Sequence, residues 1–154
     1  MTRIALGGMA VAGLMAISGV ALAASRQYNG PTATGVHAGV EFGTRLVDGR
    51  PVTVRRFRWF NLPAQCMGYG PTAANDTLAS TFAVSAKRRF HVATTINGSK
   101  VKVVGRFSSD FRKATGTIRV SGSVPGCSSA DTGTLRWKAP AVSEPRRPQR
   151  THHA

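Results

Sequence analysis

The sequence predicts an all-β protein, an antiparallel β-sandwich of about seven strands, and three observations carry that expectation. Apolar and polar residues alternate with period two through most of the chain, as half-buried strands require. Turn signals built on Gly, Asn, Asp and Pro recur every eight to fifteen residues. After the first twenty-odd residues there is no helical periodicity.

Taken in order, Val36, Ala38, Val40 and Phe42 alternate with His37, Gly39 and Glu41 and predict a first strand. Asp48-Gly49 is a turn, followed by a run from Val52 to Phe60. Within that run the buried parity shifts between Val54 and Phe57, so a bulge near Arg55-Arg56 is expected to restore a single inner face. Asn61-Leu62-Pro63-Ala64-Gln65-Cys66 is read as the end of the strand, and Met67–Asp76 as a loop rich in Gly, Pro and Asn. Leu78, Phe82 and Val84 suggest the next strand, and Lys87-Arg88-Arg89 a basic turn. Phe90 to Ile96 and Val101 to Phe107 form a hairpin around Asn97-Gly98, a two-residue turn signal. After a turn at Ser108–Lys113 come two near copies seventeen residues apart, Gly116-Thr117-Ile118-Arg119 and Gly133-Thr134-Leu135-Arg136. Trp59, Trp137, Phe42, Phe57, Phe82, Phe90 and Phe107 are the expected core.

Residues 1–23 read as a secretory signal peptide: Arg3, an uncharged apolar run, then Ala21-Leu22-Ala23 as a small-x-small cleavage pattern. The alternative is an uncleaved membrane anchor, because Ile4 to Ser25 carries no charge; its many Gly and Ala favour cleavage and no stable span afterwards. Residues 24–35 read as a flexible lead-in, 36–139 as the sandwich domain, and 140–154 as a solvated basic tail. Cys66 and Cys127 are the two cysteines. In an exported chain they favour one disulfide over free thiols or a metal pair, stabilising the fold by about 4 kcal/mol in the chain-entropy treatment.

The segments Phe57-Arg58-Trp59, Leu62-Pro63-Ala64-Gln65-Cys66, Gly105-Arg106-Phe107, Gly116-Thr117-Ile118-Arg119-Val120 and Gly133-Thr134-Leu135-Arg136-Trp137 resemble a pattern of small secreted bacterial, actinobacterial-type β-sandwich domains of uncharacterised function. The likeness spans residues 36–139 and implies fold and export, with no catalytic residue to carry over. Here four residues separate Cys127 from Thr132-Gly133, where more compact versions run the cysteine almost directly into the strand.

No enzymatic constellation is legible. The six acids, Glu41, Asp48, Asp76, Asp110, Asp131 and Glu144, are scattered singly, and Asp48, Asp76, Asp110 and Asp131 suit turns. His37 and His91 fall on outward faces with no nucleophile motif beside them, and His152-His153 make no closed metal site. No cofactor or metal is expected, and the reading is of a protein that is not an enzyme. What remains is charge: 21 Lys and Arg against 6 acids, formally +15, or +14 once Arg3 leaves with the leader. Arg55, Arg56 and Arg58, Lys87, Arg88 and Arg89, Lys100, Lys102 and Arg106, with Arg119 and Arg136, are candidate polyanion contacts. Solvated outer faces need charge anyway, so a functional stripe depends on strand order. The aromatics interleaved with these charges fall mostly on the buried parity, with Tyr69 the lone candidate contact, so specific nucleic-acid binding is not expected. The expectation is therefore a secreted or envelope-associated module touching anionic cell-wall polymers. The alternative is an inhibitor or binder of an extracellular protein through the Met67–Asp76 loop, with a small hydrolase the remotest reading.

Overall fold

A computed structural model describes residues 24–34 and 37–142. Residues 1–23, 35–36 and 143–154 lie outside the described residues, and with them the expected signal peptide, Val36 of the expected first strand and most of the expected tail. Among those described, ten strands follow in order: β1 Ser25–Pro31, β2 Gly39–Val47, β3 Arg50–Cys66, β4 Gly70–Leu78, β5 Phe82–Ala83, β6 Arg89–Ile96, β7 Ser99–Phe107, β8 Lys113–Val124, β9 Cys127–Asp131 and β10 Leu135–Pro140. Every ladder between them is antiparallel, so the protein is all-β as the alternation predicts.

The strands form one sheet folded back on itself. One layer contains β1, β2 and β3, with β4 and β5 paired to the far side of β3. The other runs β6-β7-β8-β10. At one end β9 joins the layers by pairing with both β3 and β8. Across the other side, bridges Tyr28↔Ala141 and Thr32↔Trp137 bring β1 against β10. Phe42 lies at the centre, its ring 5.1–6.2 Å from those of Tyr28, Phe57, Phe90, Phe107 and Trp137, which come from both layers. Offset and edge-to-face arrangements at these distances add to the burial of large apolar area. The aromatic core contains the rings expected, with Phe82 half-buried at its margin, and adds Tyr28, which was not expected.

The bulge expected at Arg55-Arg56 is present. Glu41 faces Arg58 and Gly43 faces Arg55, so Phe42 opposes two residues, and Arg56 takes a φ of 50°. A second bulge lies at Phe60-Asn61, where Asn61 takes a φ of 51° and its N–H donates to Asn75 Oδ1 at 2.7 Å. It carries β3 on to Cys66 instead of ending it at Phe60, moving the buried parity to Leu62, Ala64 and Cys66. Pro63 is tolerated because it sits where the β2 ladder has ended and the β9 ladder has not begun, so its missing N–H breaks no bond on that side.

Three segments depart from expectation. The stretch read as a flexible lead-in is β1, with Tyr28 buried and its hydroxyl donating to the Phe111 carbonyl at 2.7 Å. Its Asn29-Gly30-Pro31 looks like loop chemistry, yet Gly30 is needed because a Cβ there would overlap the Lys138 carbonyl oxygen of β10. Most of the supposed Met67–Asp76 loop is β4, and only Met67–Tyr69 form the turn. Pro71 fits because β4 pairs with β3 alone and is an edge strand. The first residues of the expected tail belong to the fold: Pro140 closes β10, and the Val142 N–H donates to the Gln27 carbonyl.

Cys66 and Cys127 form the expected disulfide, tying the end of β3 to the start of β9. Such a bond fits an extracellular protein. Among the described residues no helix is long and apolar enough to cross a membrane.

Candidate functional site

The candidate site is the outer surface of the β6-β7-β8-β10 layer. Strand β7 buries Ser99, Val101, Val103, Gly105 and Phe107 and turns Lys100, Lys102, Val104 and Arg106 outward. Register then fixes what stands beside each outward residue. One row reads Arg89, Arg106, Thr115, Lys138 across the four strands, and the next reads His91, Val104, Thr117, Arg136. A third holds Ala93, Lys102 and Arg119, and a fourth Thr95, Lys100, Ser121 and, from β9, Asp131. Lys113 extends the face beyond Thr115 at the start of β8.

Six of the eleven candidate cations therefore share one face: Arg89, Lys100, Lys102, Arg106, Arg119 and Arg136. Lys113 and Lys138 belong to the same face and were missed by sequence reasoning. Their signal was the outward parity of β8 and β10, the same parity that marks Arg119 and Arg136. Lys87 and Arg88 lie in the turn before β6, at the margin of the face. Arg55, Arg56 and Arg58 do not join it, because β3 belongs to the opposite layer. There Arg58 is engaged by Glu41 at 3.3 Å and lies 6.0 Å from the Phe60 ring centroid.

Among the described residues the acid of this face is Asp131, and it is spoken for. Arg119 donates from Nη2 and Nε to its two carboxylate oxygens at 2.6 and 3.2 Å, while the Gly133 N–H donates to Oδ1 at 2.7 Å. The Arg119 contact first, and the Gly133 N–H second, hold the Asp131 carboxyl below the usual carboxylate range. Asp131 is the last residue of β9, not a turn residue, and its Oδ1 holds the segment that follows through the Gly133 N–H. Asp110 does lie in a turn as expected, between β7 and β8, its carboxyl lowered by hydrogen bonds from the Ser108 hydroxyl and the Arg112 N–H. Asp76 does not: it lies in β4, where its Oδ2 accepts from Asn97 Nδ2 at 3.2 Å.

Two shallow depressions mark the face. One, of about 540 Å³, is bordered by Thr95, Lys100, Lys102, Arg119 and Ser121. The other, of about 230 Å³, lies at the end bounded by Arg88, Arg106, Ser108, Lys113 and Thr115. Val104 is 41% exposed amid the charges, breaking the alternation of β7 with an apolar contact point. His91 sits beside it, and His37 is exposed in the turn before β2, far along the chain from any of the face's strands. Among the described residues no three His, Cys, Asp or Glu side chains gather as a cation cluster.

At the tip of the β3–β4 hairpin, Met67 and Tyr69 are 77% and 88% exposed, next to the disulfide. No family model, curated protein or solved structure matches the chain.

Proposed function

We propose that this is an exported, non-enzymatic β-sandwich module that holds anionic polymers of the cell envelope against the β6-β7-β8-β10 face. The observation that carries the reading is like-charge pairing across strands. Arg89 stands opposite Arg106 with no acid beside them in the row, and Lys102 stands opposite Arg119, whose charge is partly offset by Asp131. Like charges directly opposite in a sheet are destabilising by a few tenths of a kcal/mol to about 1 kcal/mol. A polyanion laid along the rows converts that repulsion into attraction, and Thr115, Thr117 and Ser121 between the cations supply hydroxyls for the same oxygens.

The test compares two triple variants of equal net charge. Lys102→Gln/Arg106→Gln/Arg136→Gln empties the face, whereas Arg55→Gln/Arg56→Gln/Arg58→Gln removes as much charge from the other layer. On immobilised teichoic-type polymer or heparin, the first variant elutes at markedly lower salt and the second close to wild type. Equal shifts would reduce the effect to net charge. Wild-type retention indifferent to salt between 0.1 and about 0.5 M would remove the electrostatic reading, since the screening length falls from about 10 Å at 0.1 M to about 3 Å at 1 M.

The exposed Met67 and Tyr69 favour a second reading, a contact with an extracellular protein through the short disulfide-braced turn. Met67→Ser/Tyr69→Ser would then abolish capture of a protein partner from culture medium while leaving polymer retention unchanged. An unchanged set of captured proteins counts against it.

A further inference from the structure

The smaller depression on the face differs from the rest of it. Its walls come from the β5–β6 turn and from the strands and turn that join β7 to β8, with Arg88, Arg106 and Lys113 around it and Ser108, Ser109 and Thr115 between them. At about 230 Å³ it is smaller than the roughly 300–1,000 Å³ of sites that take a whole drug-sized ligand, and it suits a single compact headgroup.

Arg88 is the distinctive member. Its backbone is left-handed, with φ at 63°, a conformation that Gly or Asn adopts at lower cost and that for other residues amounts to stored strain. Two hydrogen bonds hold it there: its N–H donates to the Ser85 carbonyl at 2.8 Å, and its carbonyl accepts from the Phe107 N–H at 2.9 Å. The side chain is half-buried, and its Nε is fully covered with no protein acceptor. That covered Nε cannot itself meet an anion in the depression, which only the terminal nitrogens of the guanidinium could reach. Asp110, in the same β7–β8 turn, is not part of the wall; its carboxylate already accepts from the Ser108 hydroxyl at 2.6 Å and the Arg112 N–H at 3.1 Å. Among the described residues neither Arg88, Arg106 nor Lys113 forms an ion pair. Three cations thus border one depression without a carboxylate to neutralise them.

We infer that this depression is a tetrahedral oxyanion site, taking a phosphate or sulfate group, and that it anchors one such group of the polymer proposed above. Planar guanidinium donors from Arg88 and Arg106, a point charge from Lys113 and hydroxyls from Ser109 and Thr115 match the several acceptor oxygens of such a group. The anchoring part of the inference rests on the polymer reading; the oxyanion site itself does not.

The experiment titrates inorganic phosphate, and separately sulfate, into the disulfide-bonded protein at constant ionic strength, read by amide and Arg Nε chemical shifts. Saturable shifts confined to Arg88, Arg106, Ser108, Ser109, Lys113 and Thr115 are expected. Arg88→Asn keeps a residue that accepts the left-handed backbone while removing the guanidinium, so the fold survives. It weakens phosphate binding about tenfold or more, as loss of a charge-assisted hydrogen bond implies. Arg106→Gln does likewise, and Lys100→Gln, outside the depression, changes it less than about twofold. Shifts spread evenly over the whole face, or an Arg88→Asn variant that binds phosphate as wild type does, overturn the site. Those outcomes alongside intact, salt-sensitive polymer retention would leave the face reading standing and remove only this inference. Phosphate binding without polymer retention would do the reverse. Polymer retention that falls no further for Arg88→Asn than for Lys100→Gln would show that the site serves a free anion, and would overturn the anchoring.

Discussion

Two glycines on the inner side of the basic layer, Gly105 and Gly116, lie against aromatic rings, and replacing them should produce opposite patterns of rescue. Across the layer, one inward row reads Phe90, Gly105, Gly116, Trp137. The two aromatic rings lean over the two glycines from either side and come within 6.1 Å of each other, nearly parallel at 26°. A Cβ on Gly105 would overlap the Phe90 ring, with Cε1 at 2.7 Å, and each of its three nearest atoms belongs to that ring. A Cβ on Gly116 would lie 2.5 Å from Trp137 Cζ2 but would also overlap the Val104 carbonyl oxygen, which is backbone. Overpacking of this kind costs about 1–3 kcal/mol. Truncating Phe90 to Ala costs about 3–5 kcal/mol. Were the two losses additive, Gly105→Ala/Phe90→Ala would lose about 4–8 kcal/mol, much of the roughly 5–15 kcal/mol that holds a domain together. Because the methyl enters the space the ring leaves, the pair should instead fall short of additivity by about 1–3 kcal/mol. Gly116→Ala/Trp137→Ala should show little such relief, since the carbonyl remains. Urea unfolding followed in the oxidised protein, with m unchanged, reads both cycles. Additive losses within about 0.5 kcal/mol at Gly105 and Phe90, or a Gly105→Ala variant as stable as wild type, would refute the packing argument.

Asp131→Asn removes the acid among the described residues of the face and releases Arg119, so retention on heparin should shift to higher salt even though an ion pair is lost; the pair is about half-exposed, and its loss should cost no more than about 1 kcal/mol in thermal unfolding. Below neutral pH the same carboxyl gives a signed prediction. Its folded pKa lies below the unfolded value, so its stabilisation is present above the unfolded carboxylate range and is lost as pH falls through the folded value. Wild type should therefore lose stability below about pH 4 more steeply than Asp131→Asn, and parallel curves from acid titration of the melting temperature would contradict this. Replacing both cysteines by Ser opens a span of 61 residues and should lower the unfolding free energy by about 4 kcal/mol, checked by denaturant titration; a loss under about 1 kcal/mol would mean the unfolded chain is already compact there.

The inner face of the layer that carries the charge could be read from the sequence almost residue by residue, because β6, β7 and β8 are joined by short turns and alternate throughout, Thr94 of β6 and Val104 of β7 apart. Asn97-Gly98 fixes the register of β6 on β7, and that alone places Lys100 and Lys102 on one side. The repeated Gly-Thr motif was legible as two strands, and these do pair with each other, Ile118 opposite Leu135. Yet the repeat is not one of role: Gly116 lies beneath an aromatic ring, whereas Gly133 takes a φ of 63° in a turn with open space around it. What eluded local reasoning was governed by partners distant in sequence. Strand β1 looks like a linker because its glycine answers to the backbone of β10, more than a hundred residues away. Strand β4 looks like a loop because an edge strand accepts Pro71 and Asn75 without losing a ladder bond it never had.

The same asymmetry explains why the candidate site was only half visible. Composition announces an excess of positive charge and cannot say where it goes; Arg55, Arg56 and Arg58 form a dense basic run, and topology sends them to the other layer. Their neighbours there include Glu41, so at least one of the three is neutralised in place. Arg89, Lys102, Arg106 and Arg119 are dispersed over thirty residues of sequence, and pairing puts them on adjoining strands with like charge facing like. Repulsion that a fold could have avoided by a shift of one residue in register, had the inner aromatic row permitted it, is retained. That row does not permit it: sliding β7 by one would turn Val101, Val103 and Phe107 to water. The aromatic core thus dictates the register, and the register concentrates the charge, so the surface proposed for a polyanion is assembled by the packing on the opposite side of the sheet.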